Sequence, residues 1–184
     1  ELTVCMGVNE DEYDPEEHEV ISNASCTTNC LASVAKVLDE EFGIVNGLLT
    51  TVHAYTSSQQ IVDAPSKKMR RGRAGAANIV PTTTGAAIAT TQVLPQLKGK
   101  MDGMAIRVPV PNGSIIDFVA RTEKPVSVES VNEAFRRASQ TERMKGILGF
   151  TMDEIVSSDI IGSEYSALVD GESTMVIGDN TVKV

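Results

Sequence analysis

The chain lacks tryptophan altogether and only 4 % of its 184 residues are aromatic, so its core has to be built from aliphatic side chains and alanine. It has no run of about 18 apolar residues, which excludes a membrane-spanning helix, and its first residues lack the basic-then-apolar pattern of a signal peptide. Cysteine is scarce: Cys5, Cys26 and Cys30 are an odd set without the spacing of a disulfide framework, which suits a reducing compartment. The expectation is a cytoplasmic protein with no membrane partner. A net charge of -9 disfavours general binding to nucleic acid. No Gly-x-Gly-x-x-Gly follows a strand anywhere, so a dinucleotide-binding unit is not legible. Internal repeats and low-complexity tracts are also absent.

What is present is patterned. Leu2 to Val8 reads as a strand, and Asp14-Pro15-Glu16-Glu17 as a capped helical turn on the surface. From Cys26 to about Glu41, Cys30, Leu31, Val34, Ala35 and Leu38 recur at helical spacing, and Gly43 ends the helix. Ile44 to Tyr55 predicts a long strand, with Thr51, His53 and Tyr55 on one face and Thr50, Val52 and Ala54 on the other. Ser57 to Ala77 has no sustained period and reads as a long structured loop. A helix is predicted from Ala86 to about Leu97. Met101 to Val110 and Ser114 to Glu123 read as a hairpin turned at Asn112-Gly113. Ser127 caps a helix with Val131, Ala134, Phe135 and Ala138 as its buried stripe, and short strands are predicted around Ile147, at Ser166 to Val169 and within Ser173 to Val184. These elements predict an α+β fold, a mixed and largely antiparallel sheet covered by helices on one side. The chain opens in a strand without an initiator methionine and stops in another strand-like alternation, so it is expected to be a piece of a longer protein.

Cys26 stands where a strand-like stretch ends and the first helix begins. Unpaired N–H groups and the positive end of the helix dipole favour a thiolate there. A thiolate nucleophile needs a base or cation beside it. Of the two histidines, His18 lies in the acidic surface segment and His53 in the long strand, so His53 is the candidate partner; taken alone it reads first as a satisfied, half-buried strand histidine. Cys30, one turn deeper, reads as a core residue. Cys26, Cys30 and His53 could also be taken as zinc ligands, with the fourth ligand unnamed. Arg107 is either an anion ligand or the cross-strand partner of Asp117. The run Thr82-Thr83-Thr84 is either a polar cap or, with Gly85, an anion site at a helix start. Lys67 to Arg73 could be a nucleic-acid or nuclear-localisation patch.

Ser22 to Ala32, reading Ser-Asn-Ala-Ser-Cys-Thr-Thr-Asn-Cys-Leu-Ala, resembles the active-site signature of the phosphorylating glyceraldehyde-3-phosphate dehydrogenases. Similar blocks follow in the family's order: Thr50 to Thr56, Arg70 to Ala74, Pro81 to Ala87 and Arg107 to Pro109, with Met6 to Asn9 before them. The resemblance implies that Cys26 attacks the substrate aldehyde, that His53 is its base, and that hydride passes to NAD or NADP. The thioester on Cys26 would then be released by inorganic phosphate as 1,3-bisphosphoglycerate. It assigns Ser25, Thr27, Thr84, Gly85 and Arg107 to the attacking phosphate, and Thr56 and Arg71, with Arg107 nearby, to the substrate's own phosphate. The basic loop would line a neighbouring subunit's cofactor pocket in a homotetramer.

The resemblance also implies that residues 1–184 form the catalytic domain alone, with the nucleotide-binding domain and the family's closing C-terminal segment outside this chain. By itself the chain is expected to bind NAD weakly and not to turn over. The rival chemistries are erythrose-4-phosphate dehydrogenase, which shares the cysteine and histidine, and a cofactor-free Cys-His hydrolase or acyltransferase. A purely structural or interaction module is the remaining class.

Overall fold

The computed structural model describes residues 1–184 throughout. Strand β1 is only Leu2–Thr3, paired in parallel with β2, Ile21–Ser22, in place of the predicted run to Val8. The buried Asn9 side chain ends it: its Oδ1 accepts from Cys5 N at 2.9 Å and its Nδ2 donates to Thr3 O at 3.0 Å. Backbone groups that a longer ladder would satisfy are met by one amide instead. The turn at Asp14 forms as predicted, its Oδ1 accepting from Glu16 N at 2.8 Å.

Helix α1, Cys26–Phe42, is capped by Ser25, whose Oγ accepts from Thr28 N at 3.1 Å, and stopped by Gly43 at φ +71°. Its apolar stripe, with Leu31, Ala35 and Leu38 sealed from solvent, follows the predicted spacing. Gly43 leads straight into β3, Ile44–Ala54. Then come β4 (Val80–Thr83), α2 (Ala86–Val93), β5 (Met101–Val108), β6 (Ser114–Thr122), α3 (Val128–Ala138), β7 (Leu148–Thr151), β8 (Ala167–Asp170), β9 (Met175–Ile177) and β10 (Thr181–Lys183).

Six strands make one mixed sheet in the order β4-β5-β3-β6-β10-β9, in which only β3 and β5 run parallel. The fold is α+β, as the patterning predicted. The β5–β6 hairpin, however, does not exist, because β3 lies between the two strands. The turn chemistry is present, Gly113 at φ +86°, but Gly113 O accepts from Ala54 N at 3.0 Å and the chain crosses the end of β3. A buried central strand needs partners on both edges, and that requirement overrides the local hairpin signal. It also separates Arg107 from Asp117: the aspartate lies on the opposite face and pairs with Lys183 at 2.8 Å.

Three other predicted elements change. The threonine run is largely an edge strand, β4, which tolerates Pro81; only Thr84, just before the Gly85 cap, reaches the start of α2, its Oγ1 accepting from Ala86 N at 3.1 Å. Helix α2 ends at Val93, short of the predicted Leu97, because Pro95 cannot continue it; a 3-10 turn, Pro95–Leu97, follows. The predicted strand over Ser173 to Val184 is a hairpin, β9 and β10, turning at Gly178.

Leu49, Ala105, Phe118, Ala120 and Val182 are buried on the sheet face that α1 and α2 cover, and the core continues to Phe135 of α3. Sealing Phe118 there contributes roughly 1.5–3 kcal/mol. The other face is uncovered: Leu48, Met104, Ile115, Val119, Met175 and Ile177 stand exposed on it.

Candidate active site

The chain enters α1 through a backbone bend. Ala24 takes φ +54°, the one residue other than glycine with a positive φ, Ser25 returns to extended geometry as the cap, and Cys26 is the first helical residue. The Cys26 thiol is exposed. His53, next to last in β3, lies on the sheet face that α1 covers, and its Nε2 is 3.5 Å from Cys26 Sγ. The strand therefore brings the predicted partner to the predicted nucleophile.

His53 Nδ1 is 2.8 Å from Ala54 O, a contact that needs a proton on Nδ1 and leaves the Nε2 lone pair toward sulfur. Arg107 occupies the β5 rung paired with His53 and donates through Nη1 to the same carbonyl at 3.0 Å. Nη1 also lies close to His53 Nδ1, but both are donors, and the shared acceptor accounts for their approach. Arg107 Nε is buried with no hydrogen-bond partner in the protein. Burial, and then the neighbouring Arg71 guanidinium, hold Arg107 below the usual guanidinium range, while Cys26 pulls the other way. Two neighbouring guanidiniums, one with an unused buried N–H, are chemically suited to receive an anion.

Arg71 comes from the 3-10 turn Met69–Gly72 in the long loop and donates through Nε to Thr82 Oγ1 at 2.8 Å; Lys68 Nζ donates to Thr83 Oγ1 at 2.9 Å. Patterning did not single out Thr82, Thr83 or Lys68 as anchors, although the threonine run on an alternating strand carried the signal. Ser25 and Thr27 come together with hydroxyls 3.2 Å apart. Thr56 hydrogen-bonds within its own turn, its Oγ1 2.9 Å from Ser58 Oγ and its N–H donating to Gln59 Oε1 at 3.2 Å. Thr84 and Gly85 sit at the start of α2, where a Cβ on Gly85 would meet open space; neither hydrogen-bonds to the Cys26 group.

Cys30 packs against the core, and burial followed by the charge at Cys26 raises its thiol to about 12. The zinc reading fails, because no three His, Cys, Asp or Glu side chains are placed to hold an ion. No helix is long and apolar enough to cross a membrane.

Residues 25–184 match the model of the glyceraldehyde 3-phosphate dehydrogenase C-terminal domain. The chain belongs to that family. It is 59 % identical over its whole length to a glyceraldehyde-3-phosphate dehydrogenase of Streptomyces coelicolor and 58 % identical to that of Geobacillus stearothermophilus, covering 55 % of each. It is 60 % identical over 178 residues, 97 % of the chain, to the Haloarcula vallismortis protein of the same name, covering 52 % of it. The chain thus spans about half the length of the curated relatives it matches. Within the glyceraldehyde 3-phosphate dehydrogenase domain, the matched region begins at Ser25, the cap of the helix that carries Cys26.

Proposed function

We propose that this chain is the catalytic domain of a glycolytic, phosphorylating glyceraldehyde-3-phosphate dehydrogenase, and that Cys26 and His53 carry its chemistry. The observation that supports this most directly is Cys26 Sγ at the start of α1, 3.5 Å from an Nε2 whose lone pair is free. In the forward direction Nε2 takes the thiol proton as sulfur bonds to the aldehyde carbon, and the imidazolium returns that proton to the aldehyde oxygen to give a thiohemiacetal and a neutral His53. His53 next takes the hydroxyl proton as C1 loses a hydride, leaving a thioester. A phosphate oxygen then attacks the acyl carbon, the S–C bond breaks and the thiolate is restored, with 1,3-bisphosphoglycerate as product. Atoms balance: one aldehyde and one phosphate enter, and one acyl phosphate, one hydride and one proton leave.

Arg107 and Arg71 supply positive charge for the two phosphates, with Ser25, Thr27, Thr84 and Gly85 at the attacking one and Thr56 at the substrate's own. The buried, unpartnered Arg107 Nε supports an anion beside Cys26.

The hydride acceptor is a different matter. No strand, glycine-rich turn and helix follow one another here; the β4-to-α2 turn holds a single glycine, Gly85. These residues do not fit a dinucleotide. The NAD or NADP site therefore belongs to a nucleotide-binding domain outside this chain, and the chain alone binds NAD weakly and does not turn over. Micromolar NAD affinity by calorimetry would overturn that. The uncovered sheet face, with Leu48 on β3, Val119 on β6 and Met175 on β9, supports a second copy of the chain as partner and a homotetrameric parent.

The reverse half-reaction needs no hydride acceptor and tests the assignment on this chain. With 1,3-bisphosphoglycerate, Cys26 attacks the acyl carbon, the bond to the phosphate oxygen breaks, and a 3-phosphoglyceryl thioester forms. Intact-mass spectrometry is expected to show that adduct on the wild type, none on Cys26→Ser, and slowed formation on His53→Ala. Hydrolysis of simple thioesters to acid, with no acyl transfer from the acyl phosphate, would favour a Cys-His hydrolase instead.

A further inference from the structure

Asn29 reaches back from the first turn of α1 to the backbone just before Cys26. Its Nδ2 donates to Asn23 O at 2.9 Å and to Ser25 O at 3.0 Å. Those carbonyls sit on either side of Ala24, whose φ of +54° is one that residues with a Cβ adopt only under constraint. Ala24 N also donates to Ser22 Oγ at 3.3 Å, and Ser25 O accepts the helical bond from Asn29 N at 2.9 Å. One amide group thus spans the strained residue with both of its N–H bonds. An aspartate in its place has no hydrogen to offer, and a serine has one.

We propose that Asn29 is a positioning residue for the nucleophile. By tying the carbonyls of residues 23 and 25 it fixes the left-handed bend at Ala24, and that bend sets where Cys26 Sγ emerges relative to His53 Nε2. If the bend relaxes toward ordinary backbone, Ser25 loses its cap geometry and the first turn of α1 shifts, while His53, on β3, stays where it is. The inference rests on the Cys26–His53 pairing put forward under Proposed function. It also explains why a non-glycine residue is tolerated at position 24.

The test is a cycle of Cys26 alkylation rates by iodoacetamide near neutral pH, read by mass spectrometry with Cys30 as internal control. Asn29→Ala and Asn29→Asp are expected to slow Cys26 labelling by roughly tenfold in the wild type. In a His53→Ala background the Asn29 change is expected to have little further effect, because the partner whose alignment it serves is gone. Glycine adopts a positive φ freely, so Ala24→Gly added to Asn29→Ala is expected to recover most of the rate. A purely structural role would slow labelling equally in both backgrounds, or lower thermal stability with no change in rate, and either result overturns the proposal. If His53→Ala alone leaves labelling unchanged, the pairing itself fails and this inference falls with it; if His53→Ala slows labelling but Asn29→Ala does not, only this inference falls.

Discussion

His53 and Arg107 occupy one rung of two parallel strands, and both donate to the carbonyl of Ala54, at 2.8 and 3.0 Å. That oxygen sets the imidazole tautomer and anchors one arm of the guanidinium, so His53 and Arg107 are tied to a single backbone atom.

The three thiols should separate sharply. Cys26 is exposed, whereas Cys5 is buried and Cys30 packs against the core. Iodoacetamide is expected to label Cys26 alone in the folded chain and all three in urea, with peptide mapping as the readout. His53→Ala is expected to slow Cys26 labelling about tenfold while leaving Cys5 and Cys30 protected. Labelling of Cys30 at a similar rate would mean that α1 frays.

Arg107→Lys keeps a positive charge but loses the planar fork that reaches Ala54 O and still offers Nε. Acylation of Cys26 by 1,3-bisphosphoglycerate is expected to fall about ten- to a hundredfold, while iodoacetamide labelling, which needs no anion site, changes little. Equal losses with both reagents would place Arg107 in the alignment of the thiol and not in phosphate binding.

The bare face of the sheet predicts self-association. Leu48→Asp combined with Ile115→Asp alters residues that are 67 % and 60 % exposed, so monomer stability should change by about 0.5 kcal/mol or less. Sedimentation velocity is expected to show dimers in the wild type at micromolar concentration and monomers in the double variant. A wild type that stays monomeric at high concentration would remove this face from consideration as an interface.

Burial pushes the Cys5 thiol up to about 11. Below the ordinary thiol pKa of about 8.5 both folded and unfolded chains hold the proton, and the thiol adds no pH dependence. Above it the unfolded chain ionises first, so the wild type should lose stability relative to Cys5→Ala by about 1.4 kcal/mol per pH unit until the folded thiol titrates as well. Urea titrations of both proteins from pH 8 to 11 measure that difference; parallel curves would show that Cys5 ionises freely in the fold.

Much of this was readable along the chain. Helix α1 announced itself through a polar cap, a 3.6-residue apolar stripe and Gly43, all of them local signals. Cys26 and His53 were legible because a helix start and an alternating strand place side chains predictably. The β5–β6 relationship was not, since a tight-turn signal says that the chain reverses and says nothing of what inserts between the two arms. Nor were the partners of Arg71 and Lys68 on β4, which join a patternless loop to a threonine run more than ten residues on.

The sequence by itself determined most of the element types, the family and the place of Cys26 at a helix start, because each rests on periodicity, capping or a contiguous motif. Only the tertiary structure decided that His53 reaches Cys26, that Arg107 shares its carbonyl instead of pairing with Asp117, and that one face of the sheet is left bare. Those facts depend on strand order and register, which are set by the burial of β3 between two neighbours, a property of the whole chain and of no segment in it.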